Sequence, residues 1–280
     1  MAKIAIILLI FIVVIVIISI IIGDILWGNY TSNLTKELIV NNKKIDEQVN
    51  LDELSSLPEI VQKYFRLVLK DGAPVINRAT ITQIGEFRMN PGSEEWLDMK
   101  AIQNFTAGNR GFVWSATITM FPPVNIKVID SYINGKGAMK GKVLSLITVI
   151  DEREKKELNK AVLQRYLAES VWFPTALLPS QGVKWTEIDE KRASATINDS
   201  GVTVSLVFGF NNKGEIVEVY TSERYREVNR EYRLFPWKGE FSDYTEIQGY
   251  RIPSVAEVAW VLEDGTFPYW RANIKRVDFD

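Results

Sequence analysis

The chain has 280 residues, a formal net charge of −2, and neither histidine nor cysteine. Those two zeros remove disulfides, thiolate and imidazole metal sites, a thiol nucleophile and every catalytic arrangement built on a histidine base. Lysine and arginine are scattered rather than striped, which argues against a nucleic-acid partner, and no metal or cofactor set is expected.

Residues 4 to 22, IAIILLIFIVVIVIISIII, hold a single polar side chain, Ser19. At about 1.5 Å per residue they cover most of a roughly 30 Å hydrocarbon layer, so the segment reads as an uncleaved membrane anchor. A cleaved signal is the rival reading, but its apolar stretch is usually about 7–15 residues and ends in small side chains, whereas Ile21, Ile22 and Gly23 precede Asp24 here. Lys3 before the segment and Asp24 after it lean toward a cytoplasmic amino terminus, a bias that Lys36, Lys43 and Lys44 weaken. The expectation is a single-pass protein of the cytoplasmic membrane with an extracytoplasmic body. Residues 24–50 lose hydrophobicity and gain Asn and Lys, as a juxtamembrane stalk would, which leaves 51–280 as one β-rich domain.

Within SSLPEIVQKYFRLVLKDG, Val61, Tyr64, Phe65, Val68 and Leu69 recur at helical spacing between Pro58 and the Asp71-Gly72 stop. A further helix is expected from Glu152 to about Ser170, with Leu158, Val162, Leu163, Tyr166 and Leu167 on its apolar side. The rest reads as about eleven strands, from ATITQIGEFRM (79–89) to FPYWRANIKRVDF (267–279), rich in β-branched and aromatic residues. Phe112, Trp114, Ala116, Ile118 and Met120 alternate cleanly, and turns such as Asn198-Asp199-Ser200-Gly201 and Gln248-Gly249 have hairpin chemistry. The fold class is therefore mainly β (α+β): an anchor helix, then a curved antiparallel sheet or half-barrel, its strands paired in chain order, with two or three helices on one side.

Between helix and strands lies AESVWFPTALLPSQGVKW, residues 168 to 185. Pro174 and Pro179 cannot continue a helix and bias Phe173 and Leu178 toward extended geometry, so a stiff, open segment is expected. Trp172, Phe173, Leu177 and Leu178 would each cost roughly 1.5–3 kcal/mol in water, so they face either the sheet core or a cavity between sheet and helix, whose lip they would form. Arg165 and Glu169 stand one turn apart at the edge of the apolar arc, either as a surface pair or as the polar rim of that cavity beside Tyr166 and Trp114. Asp130 and Glu257 each fall on an apolar strand face, where a carboxylate needs a partner or a raised pKa; opening into one cleft, they would serve as acid and base on a glycoside.

The run RYLAESVWFPTALLPS (165–180), with FVWSA (112–116), DSYINGKGAM (130–139), PWKGEFSDY (236–244) and GYRIP (249–253), resembles a family of uncharacterised prokaryotic proteins, commonly membrane-anchored, over most of residues 57 to 278. That resemblance implies no activity and transfers no catalytic residue; where such a motif often has PPGFVW, this chain has GNRGFVW. In architecture alone the pattern is similar to the half-barrel of the LolA and LppX lipoprotein carriers, which implies acyl chains held between a curved sheet and its helices. The leading expectation is thus a non-enzymatic, tethered domain that binds a lipid or other apolar ligand. The alternatives are a carboxylate-based hydrolase of envelope glycans, resting on Asp130, Glu169 and Glu257, and a protein-interaction scaffold.

Overall fold

The computed structural model describes every residue except Met1 and Arg230. Its first element, α1 (Ala2–Val40), is one unbroken helix of 39 residues, long and apolar enough to cross a membrane. The segment expected as a stalk continues this helix to Val40. Trp27, Tyr30, Leu34 and Leu38, spaced three or four apart, lay one stripe on Val113, Ile129 and Ile133. Gly23 marks where the helix meets the sheet: a Cβ there would lie 2.8 Å from the Ser145 carbonyl oxygen. Beside it Asp24 pairs with Lys127 at 2.7 Å and accepts from the Ser145 hydroxyl.

A short 3₁₀ turn (Leu51–Ser56) leads into α2 (Glu59–Val68), which buries Val61, Tyr64, Phe65 and Val68 as the periodicity predicts. The first run of strands is β1 (Arg78–Phe87), β2 (Leu97–Thr106), β3 (Gly111–Phe121), β4 (Val124–Ile133), β5 (Lys136–Val143) and β6 (Ile147–Arg153). Then comes α3 (Lys156–Glu169), followed by β7 (Lys184–Asp189), β8 (Arg192–Asp199), β9 (Val202–Phe210), β10 (Ile216–Val228), β11 (Glu231–Ile247), β12 (Tyr250–Leu262) and β13 (Gly265–Phe279). The hairpins turn at pairs such as Ser200-Gly201 and Gln248-Gly249, where both residues take the positive φ that tight two-residue loops require.

All thirteen strands form one antiparallel sheet in the order β6-β5-β4-β3-β2-β1-β13-β12-β11-β10-β9-β8-β7. The strands do not simply follow chain order. Two meanders share a central seam where β1 pairs with β13, Ala79 opposite Phe279 and Phe87 opposite Trp270. The chain walks from the seam to the β6 edge, returns through α3 to the β7 edge, and walks back. Two strands beyond the expected eleven are β5 and β6: glycines and lysines dilute the apolar alternation of β5, and β6, an exposed edge, takes residues expected to open the helix, which begins at Lys156.

Residues 170 to 181 are not open. They fold into three consecutive 3₁₀ turns, Ser170–Trp172, Pro174–Leu177 and Pro179–Gln181, with a proline at the start of the second and third. Proline suits a first helical position because its fixed φ is already helical and its missing N–H is not needed there. Phe173 and Leu178, each before a proline, are the non-helical joints between the turns. This strap packs Phe173 against Phe105 and Tyr166, with ring centroids 4.6 and 5.6 Å apart, and fills one end of the concave face.

Candidate functional site

Because neighbouring strands alternate in direction, the carboxyl end of β1, the β3–β4 turn, the β5–β6 turn and the β10–β11 turn lie at the same end of the sheet. At the opposite end the strap, α2 and Phe105, Phe112 and Tyr166 form close-packed core. Between these regions the concave face and α3 leave a cavity of about 390 Å³. Its wall is mostly apolar: Phe87, Met89, Ile118, Ile126, Val149 and Ile150 come from the first meander, Ala256, Val258, Trp260 and Trp270 from the second, and Leu158, Ala161 and Val162 from α3.

Five of the ten residues singled out from sequence reach this cavity: Trp114, Asp130, Arg165, Glu169 and Trp172. Tyr166, Phe173, Leu177 and Leu178 do not; they are core, each with at most 2 % of its surface exposed. Tyr166 donates its hydroxyl to the Thr106 carbonyl at 3.0 Å, and the Trp185 indole donates to the Leu177 carbonyl. Glu257 also lies elsewhere. Its neighbours Ala256 and Val258 face the cavity, and strand alternation turns Glu257 to the outer face beside Glu240 and Arg271, so Asp130 and Glu257 never share a cleft.

The Arg165–Glu169 pair is mostly enclosed rather than superficial, with 16 % and 13 % of the two side chains exposed. Arg165 donates from Nη1 to Asp130 Oδ2 at 2.7 Å and from Nε to Glu169 Oε1 at 2.8 Å, while its guanidinium lies 4.8 Å from the Trp114 ring centroid. The other Glu169 oxygen accepts from Gln103 Nε2 at 2.7 Å; the Gln103 carbonyl accepts from Gln83 Nε2 at 3.1 Å, and the Gln83 carbonyl accepts from the Trp114 indole at 2.9 Å. A continuous polar run thus crosses from β3 through β1 and β2 to the last turn of α3. Burial pushes the Asp130 and Glu169 carboxyls above the usual carboxylate range, against the pull of Arg165. Burial also opposes the charge on Arg165, but the carboxylates outweigh it and hold the guanidinium more firmly protonated.

Three groups in this site escaped the sequence reading. Gln83 and Gln103 are fully buried, each in phase with an apolar strand face, Ile81 before one and Ala101 and Phe105 around the other. The same test that picked out Asp130 would have found them. Arg224 carried no such signal. A bulge shifts the β10–β11 register between Thr221, opposite Trp237, and Arg224, opposite Phe235, so Arg224 takes an inward position that strict alternation denies it. Gln164 of α3 donates to the bulged Glu223 carbonyl at 3.0 Å.

Not every polar atom on this wall is satisfied. Arg224 Nη1, Asp130 Oδ1, and the indole N–H groups of Trp172 and Trp270 are buried and find no hydrogen-bond partner among the described residues. Arg224 is 8 % exposed, stands 4.7 Å over the Trp237 ring, and has its pKa lowered by burial. Buried groups of this kind ordinarily cost about 1–3 kcal/mol each when left unpaired. The four residues all line the cavity, and the unpartnered atoms are three donors and one acceptor. No group of His, Cys, Asp and Glu suited to a metal occurs among the described residues.

No curated protein matches the chain in sequence. Among solved structures it is similar to the LolA superfamily protein NE2245 from Nitrosomonas europaea, at 10 % identity and a TM-score of 0.40, covering 79 % of this chain and 92 % of that one. Residues 55–279, which carry the whole sheet, the strap and every wall of the cavity, match the family of unknown function DUF6920, and the chain belongs to that family.

Proposed function

We propose that the domain binds one amphiphilic, lipid-like molecule in the concave cavity, outside the cytoplasm and without chemical change. The observation that carries this reading is the combination in one wall of an extended apolar lining with Arg224 Nη1 and the indole N–H groups of Trp172 and Trp270 unpartnered. An acyl or similarly apolar body would lie against Ile118, Ile126, Val258 and Trp260, and a carboxylate or phosphate oxygen would take the free donors. Arg165 is already committed to two carboxylates and serves to position them. Glu257 on the outer face removes one of the three acids of the glycan-hydrolase alternative, and Arg165 engages the other two, Asp130 and Glu169.

The test is native mass spectrometry of the full chain released from detergent, with Ala256→Trp as the comparison, since Ala256 faces the cavity from the middle of β12. The expected result is a retained lipid-sized adduct that the substitution removes while the protein stays folded. A bare protein mass, or an adduct unaffected by filling the cavity, would overturn the reading.

A further inference from the structure

The outer end of the sheet carries apolar side chains that nothing in the fold covers. Phe121 at the β3–β4 turn is 60 % exposed and Ile147 at the β5–β6 turn 63 % exposed, flanked by Met120, Leu146, Val149 and, beyond β1, Met89. Side chains this apolar are ordinary singly, but here they cluster at the ends of neighbouring strands, and Met89 and Val149 continue inward as cavity wall.

The position of α1 says what lies next to this rim. Its apolar turns are exposed from Ile6 to Ile18, so they contact no other part of the domain. The helix first meets the sheet at Gly23, against the Ser145 backbone in the β5–β6 turn, and Asp24 is bonded to Lys127 near the start of β4. From there it runs away from the rim along the outer face, with Leu38 against Gly111 at the far end of β3. A bilayer holding residues 4 to 22 therefore begins at the level of the rim itself. Near the β1 end of the rim Arg271 lies 4.1 Å from the Trp96 ring centroid, and two helical turns further from the rim Lys140 lies 4.8 Å from that of Tyr30, pairings of cation and aromatic typical of a membrane interface.

We propose that the rim formed by the β3–β4 and β5–β6 turns is seated in the lipid leaflet from which α1 emerges, so that the cavity opens onto lipid instead of water. The docking rests on the exposed rim and the pinned helix; only the identity of what enters rests on the cavity reading above. A ligand would then pass between bilayer and protein along a continuous apolar path from Phe121 and Ile147 past Met89 and Val149.

The absence of native cysteine allows a direct test on the full chain. Ile147→Cys and Phe121→Cys, each carrying an environment-sensitive fluorophore, are placed in phosphatidylcholine vesicles with or without brominated acyl chains, with Lys213→Cys in the β9–β10 turn as the far-end comparison. Labels at 147 and 121 should shift to the blue and be quenched severalfold by the brominated lipid, while the label at 213 is not. Water-like emission at the rim overturns the proposal, as does a blue shift without bromine quenching, which would mean that protein covers the patch. A Phe121→Asp/Ile147→Asp variant should take up a fluorescent fatty acid severalfold more slowly from vesicles yet bind it unchanged from detergent. Equal uptake from vesicles overturns the docking, whereas failure of both variant and parent to bind from detergent defeats the cavity reading and leaves the label result to decide the docking.

Discussion

Gln103 donates to Glu169 at 2.7 Å, so a strand amide in the middle of the sheet fixes a carboxylate at the end of α3. Gln103→Leu would remove that donor and also leave the Gln83 amide without its acceptor. Unpaired buried groups cost about 1–3 kcal/mol each, and the expected result is a loss of that order in urea unfolding. Gln103→Glu, measured alongside, should be worse at neutral pH, since it sets a second acid against Glu169.

Arg165 is the cation between two acids, Asp130 buried and Glu169 partly so. Arg165→Met leaves Asp130 and Glu169 facing one another without it, and removal of one partner from a buried ionic group costs about 3–5 kcal/mol. Adding Asp130→Asn and Glu169→Gln to that variant should recover part of the loss. If the single variant were no less stable than the parent, the ionic cluster would not be holding α3 to the sheet.

Burial raises the Asp130 carboxyl despite its bond to Arg165. An acid raised above its unfolded value of about 3.9 contributes stability that is complete below that value and lost as pH climbs through the folded pKa. The stability of the parent relative to Asp130→Asn should therefore grow as pH is lowered toward about 4. A difference that shrinks on acidification would mean that Arg165 wins and depresses the acid.

Leu177 is fully buried in the strap and does not line the cavity. Leu177→Trp should therefore behave as core overpacking, lowering stability by about 1–3 kcal/mol, while any ligand still retained shows unchanged occupancy. Stability at the parental level with abolished binding would put the side chain in the ligand's path.

Sequence alone carried eleven of the thirteen strands, α2, the apolar amino-terminal helix and the coupling of Arg165 with Glu169, because each rests on local periodicity or spacing. Asp130 was legible as an acid on an apolar face, but its partner was not, since Arg165 reaches it across 35 positions. Phe173, Leu177 and Leu178 announced burial without saying in what; an apolar side chain reads the same against core as against a cavity. Arg224 was hidden by the bulge, and Trp27, Tyr30, Leu34 and Leu38 were in plain view as a helical stripe but diluted by the Asn and Lys around them.

The seam that sets Ala79 opposite Phe279 also dictates the order in which the protein is completed. Strands β1 to β6 emerge first and can zip as hairpins, yet β1 must wait with one edge unpaired until all of β7 to β12 have been made. Pairings this distant in sequence are slow, and an open edge of ten residues invites other chains in the meantime. The half-made sheet is therefore the vulnerable species during synthesis: chains stopped after β12 should aggregate or bind chaperones, and supplying β13 as a separate peptide should rescue them by occupying the vacant edge.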